Sequence, residues 1–211
     1  MEFECGFEWE PLRTPLGFKG GSLTGLWQTA VWLRGAGGCG GLGLGTQSTL
    51  WSDPELFASC SEEEGNRRMY AITREALARA RALDFASPPA LLDALLPALD
   101  AYAREVTGRP DLRLTFILNA LVALDNAAWQ LVAAEQGWRT FDDLIPEAAR
   151  PALSCRHREL ALIPLISYGM SPAAALAEVE QGAAVLKIKL GHDPAGDGDP
   201  EKMLAWDCRR L

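Results

Sequence analysis

The sequence predicts an α+β chain in three parts: a small β-sheet, a group of helices, and the first βαβ unit of a parallel (β/α) barrel. Three observations carry that prediction. Strand-favouring residues cluster around a glycine-rich turn in the first fifty positions. Segments near 62–84, 88–106 and 112–136 carry apolar residues at helical spacing. Residues 160–191 read strand, helix, strand with short joints.

In chain order, residues 25–34 hold Trp27, Val31 and Trp32, which suit a strand. Residues 35–41 form a glycine-rich turn, and 42–49 are the returning strand. Pro88-Pro89 and Gly108-Arg109-Pro110 separate the helices. From Trp138 the periodicity fades into a linker. The expected organisation is therefore sheet and helical bundle over 1–140, linker over 141–159 and barrel start over 160–211.

Residues 160–169 are almost continuously apolar, as in a parallel strand covered on both faces. Pro164 marks the start of that strand or an irregular point in it. Ser171 is an N-cap followed by proline at the first helical position, 173–181 favours helix, and Gly182 ends it. The run Val185-Leu186-Lys187-Ile188-Lys189-Leu190-Gly191 follows at once. Alternation puts Lys187 and Lys189 on one face, roughly 7 Å apart.

Taken alone, lysines so spaced fit a half-exposed strand in water. In a closed parallel barrel, Leu186, Ile188 and Leu190 face the helices. The lysines then point inward near the strand's C-terminal end, where barrel active sites form. On a buried face each ammonium disfavours the other's protonation, which suits a lysine to act as a base.

With 211 residues, 48% hydrophobic and 23% charged, the chain can bury a sizeable core and is not of disordered composition. A net charge of -8 argues against general binding to nucleic acid or to an anionic membrane surface. The five cysteines, without C-x-x-C spacing, read as free thiols of a reducing compartment. The apolar stretch 114–134 contains Asn119, Asp125, Asn126 and Gln130, so it reads as a buried core helix rather than a membrane span. With no secretory signal at the start, the expected location is cytoplasmic.

Several patterns tempt and fail. Gly35-Ala36-Gly37-Gly38-Cys39-Gly40 matches the dinucleotide fingerprint, but the following glycines cannot open the helix that a pyrophosphate needs. A nucleotide-dependent oxidoreductase is a third, weaker reading. In 193–201 the acidic spacing departs from a calcium loop, and an acidic turn before a helix is expected. His157 lies in the linker, while His192 follows the lysine strand closely enough to be a weak candidate. Asp125 is expected to be a hydrogen-bonded structural carboxylate.

The order of these parts resembles the enolase superfamily, in its mandelate racemase and muconate lactonizing enzyme branch. The helix Ala123-Leu124-Asp125-Asn126-Ala127-Ala128-Trp129-Gln130-Leu131 looks like that branch's A-L-D-x-A-x-W-D-L pattern, with Gln130 in place of aspartate. Arg13-Thr14-Pro15-Leu16-Gly17-Phe18-Lys19-Gly20-Gly21 is similar to its first capping-domain loop.

The resemblance implies an α+β capping domain over a TIM-like barrel, and abstraction of the proton α to a carboxylate to give a Mg²⁺-held enediolate. It makes Lys189 the base. Lys187 would lower the pKa of that base and touch the substrate carboxylate. Lys19, Gly20, Trp51 and Ser167 would line the substrate pocket. The substrate would be a small carboxylate, handled by racemase, epimerase, cycloisomerase or dehydratase chemistry, and the full-length enzyme a homo-oligomer.

The branch's metal-binding carboxylates and second base come from later barrel strands. The barrel is therefore incomplete here, with no metal ligands expected, and the 211-residue chain reads as an N-terminal fragment inactive alone. The alternative is a non-catalytic binding or assembly module that uses an exposed barrel edge.

Overall fold

In the computed structural model, residues 2–18 and 21–211 are described. Strands β1 (Glu2–Phe18), β2 (Gly21–Arg34) and β3 (Gly40–Gln47) form an antiparallel meander in that order. The register pairs Phe3 with Leu33, Cys5 with Val31 and Trp9 with Trp27, and it shifts between Pro11 and Leu16. Proline, lacking an N–H, belongs at such an irregularity. One face buries Phe3, Leu23, Trp27, Val31 and Leu33, while Glu4, Glu8 and Glu10 alternate outward. The glycine cluster is the β2–β3 turn: the Gly35 amide donates to Cys39 (2.9 Å), and Gly38 takes φ +85°. No helix starts there, so the fingerprint reading falls.

The helices of the first unit are α1 (Thr49–Ser52), α2 (Pro54–Ser59), α3 (Glu62–Ala80), α4 (Pro88–Thr107), α5 (Leu114–Gln136) and the short α6 (Phe141–Leu144). Local signals set their limits. Asp53, Ser61 and Ser87 accept backbone amides at their N-termini. Gly108 and Gly137 close α4 and α5 in the left-handed conformation.

Helix α5 lies at the centre, with Phe116, Ile117, Ala120, Leu121, Leu124, Ala127, Ala128 and Leu131 buried. It rests on glycines of β3. A Cβ on Gly41 would overlap the Ala127 carbonyl, and one on Gly43 the Ala123 carbonyl and Ala127 amide. The outer edge of β3 is closed by amides one heptad apart on α5. Asn126 donates to the Leu44 carbonyl and Asn119 to that of Thr46, each at 2.8 Å. An edge so capped offers fewer free carbonyls to another chain.

Asp125 departs from expectation. It has no hydrogen-bond partner among the described residues, and burial alone raises its carboxyl pKa above the ordinary value. A raised folded pKa favours the folded state below the unfolded pKa, and that contribution is lost as pH rises through the folded one. Asp125→Asn is therefore expected to gain stability over the native chain as pH climbs out of the carboxylate range toward neutrality. Urea denaturation at several pH values checks this, and parallel pH profiles for the two proteins would contradict it.

Residues 1–145 and 146–211 form two compact units. The second contains a 3-10 turn (Glu147–Ala149), β4 (Leu165–Ile166), α7 (Pro172–Glu180), β5 (Lys187–Ile188) and α8 (Pro200–Arg210). Here β4 and β5 pair in parallel, Leu165 with Lys187 and Ile166 with Ile188, and α7 connects them as a βαβ unit. Ser171 caps α7 by accepting from the Ala174 amide, and Gly182 beyond its end takes φ +102°.

The strands are shorter than the apolar run suggested. Leu160 and Leu162 are 82% and 86% exposed and lie outside β4. Strand order in a parallel sheet needs neighbours, and this sheet has two strands.

Candidate functional site

The site is built at the C-terminal ends of β4 and β5. The Lys187 amide donates to the Pro164 carbonyl and the Lys189 amide to Ile166, both at 3.0 Å. Leu186 and Ile188 line a groove of about 270 Å³ with Ala175, Leu176 and Val179 of α7. The lysines, one residue out of phase, therefore share the opposite face, as the alternation predicted. Burial of that face was expected only in a closed barrel, and here the face is open. Lys187 is exposed and Lys189 half-buried, because two strands cannot cover their own face.

Lys189 Nζ lies 5.3 Å from the centre of the Tyr168 ring. The Tyr168 hydroxyl donates to the Leu190 carbonyl at 2.9 Å. His192 stacks on that ring with centroids 4.9 Å apart, and Trp206 meets His192 edge-on at 4.5 Å. The Gly191 amide donates to Asp207 Oδ2 at 2.7 Å, and Asp207 is buried. Ser167, half-buried, offers its carbonyl to Arg210 and to the Met170 amide.

Ser167, Lys187 and Lys189 thus gather at one end of one small sheet. Trp51 belongs to the first unit, on α1, and is 36% exposed. Its segment is held by Asn119, whose side-chain oxygen accepts from the Ser48 amide (3.0 Å) and the Ser52 hydroxyl (2.9 Å). Lys19 and Gly20 lie outside the described residues. Tyr168 and Asp207 were missed in the sequence. Neither carried a local signal: Tyr168 lies two residues past β4, in phase by alternation with the groove-facing Ile166, and Asp207 lies on α8.

The magnesium ion that the resemblance implies does not fit these residues. Among the described residues no three His, Cys, Asp or Glu side chains converge. The acidic loop is committed elsewhere. Asp193 accepts from the Gly196 and Gly198 amides, each at 2.8 Å, and Asp199 caps α8 through the Glu201 amide. Lys202 bonds to Asp197 and holds its carboxyl pKa below the usual range.

A wider groove, about 490 Å³, opens in the first unit among Phe7, Trp9, Trp27 and Glu62. Its Glu63 is paired with Arg67 at 2.6 Å, and among the described residues no lysine or histidine lines it.

No family model and no curated protein sequence matches the chain. Solved structures do. N-succinyl Arg/Lys racemase from Bacillus cereus matches with 15% identity and a TM-score of 0.51, over 99% of this chain and 48% of its own. A dipeptide epimerase from Enterococcus faecalis, solved with Mg and the dipeptide L-Leu-L-Tyr, matches with 15% identity and a TM-score of 0.50, over 97% and 49%. L-Talarate dehydratase from Polaromonas, solved with Mg and L-glucarate, gives 20% identity and a TM-score of 0.48, over 98% and 50%. The chain spans about half the length of these structures. The likeness to the racemase and the epimerase shows the fold: an antiparallel sheet with a helical layer, followed by a parallel βαβ unit, as in about half of each of those chains.

Proposed function

We propose that this chain is the N-terminal half of an isomerase or lyase that removes the proton α to a carboxylate, with Lys189 as the base. A shared fold is by itself an analogy, since one fold hosts many chemistries. The observation that carries the reading is the phase of β5. Leu186 and Ile188 face the helix-side groove, which leaves Lys187 and Lys189 together on the other face at the strand's C-terminal end. That end is the functional end of a parallel β/α layer.

In this reading the Lys189 amine takes the α-proton, and Lys187, on the same face, offers a second ammonium to the substrate carboxylate. Ser167 lies beside them. Since no three metal-ligating side chains converge among the described residues, a metal that stabilises the enediolate would be held by carboxylates other than these.

The test is hydrogen exchange. The whole protein is incubated in D₂O with hydroxy acids, acid sugars and dipeptides, and the α-proton signal is followed by NMR. Loss of that signal from one class is expected. Retention across all classes, with the protein folded and supplied with Mg²⁺, would remove the reading.

A further inference from the structure

The turn after β5 is tied at three consecutive residues. The Leu190 carbonyl accepts from the Tyr168 hydroxyl at 2.9 Å. The Gly191 amide, at φ +81°, donates to the buried Asp207 carboxylate at 2.7 Å. His192 lies against Tyr168 and is backed by Trp206. Asp207 is 8% exposed, so water competes little for that amide. The ring that anchors the turn also lies 5.3 Å from Lys189 Nζ, within the range over which an aromatic face attracts an ammonium.

These ties act on one side chain. Lys189 precedes the tethered turn, one residue past a strand that forms only two residue pairs with its neighbour. So short a ladder leaves the strand's end free to fray. A lysine has four rotatable side-chain bonds and ordinarily samples many directions. A ring clamped by its hydroxyl on one side and by His192 on the other restricts that sampling.

We propose that Tyr168 is a positioning residue for Lys189. Its ring sets where the Lys189 amine stands, and the His192–Trp206 stack and the Asp207 carboxylate hold the ring and the turn in place. The role rests on Lys189 being the base. It differs from catalysis itself, because Tyr168 acts through the lysine.

The contact can be read without turnover. The lysines of this chain are Lys19, Lys187, Lys189 and Lys202. Reductive ¹³C-methylation of the 211-residue chain gives each lysine an NMR signal while preserving its charge. The Lys189 methyl protons should lie upfield of the others through the Tyr168 ring current. The shift should persist in Tyr168→Phe and vanish in Tyr168→Leu.

In the whole protein, Tyr168→Leu should lower the rate constant of α-proton exchange about 10- to 100-fold with KM little changed, and Tyr168→Phe should restore most of it. If Tyr168→Leu fails to fold, His192→Ala removes the backing from an unaltered Tyr168 and should weaken both readouts.

An unshifted Lys189 signal in the native chain overturns the proposal, as does an exchange rate unaffected by loss of the shift. Exchange that survives in Lys189→Ala removes the base assignment and with it the positioning role, while the NMR shift still stands. The two failures are therefore distinguishable.

Discussion

Gly43→Ala is expected to unfold the first unit or bring it close to unfolding. The added Cβ meets the Ala123 carbonyl and the Ala127 amide of α5, both of them peptide groups. Overpacking a core costs about 1–3 kcal/mol when side chains can shift aside. A helix backbone cannot shift alone, because α5 carries the buried Phe116, Leu121, Leu124 and Leu131 with it. The cost should therefore reach or exceed about 3 kcal/mol. Against a usual stability of about 5–15 kcal/mol, that is a large share.

Thermal or urea denaturation followed by circular dichroism measures the loss. Gly37→Ala, in the β2–β3 turn with nothing within 4 Å of its Cβ position, is the control and should melt close to the native chain. Equal melting of Gly43→Ala and Gly37→Ala would show that α5 does not rest on the strand as described.

The second large effect is catalytic. Lys189→Ala in the whole protein should abolish exchange of the substrate α-hydrogen with solvent deuterium, by about 10²–10⁴-fold if the amine is a general base. Lys189→Arg separates base from charge. Arginine keeps the cation but does not give up its proton at neutral pH, so it should be as inactive as alanine. Activity retained by Lys189→Arg would assign the residue an electrostatic role. Lys187→Ala should lower turnover as well as substrate binding, because proton removal adds negative charge to the carboxylate oxygens that it is expected to touch. NMR in D₂O over a range of substrate concentrations reads both effects.

How much was legible depends on the distance over which each signal acts. The sequence by itself determined the three long helices, although α3 ends at Ala80 where its periodicity ran on to residue 84. Ser61, Ser87 and Ser171 act on amides three residues away, and Gly108 and Gly137 on the turn just before them. It also determined the phase of β5, since alternation along a strand is a property of the backbone.

Only the tertiary structure decided the rest. Gly41 read as the end of a turn and Gly43 as part of the returning strand, and why each is glycine shows only once α5, some eighty residues later, is laid on them. Residues 160–164 were apolar enough for a strand, yet a strand exists only where another pairs with it. The lysine pair followed the same rule. Its shared face came from the local backbone. Its exposure and the Tyr168 ring beside Lys189 were set by tertiary packing, because side-chain surroundings depend on what packs nearby and not on what precedes along the chain.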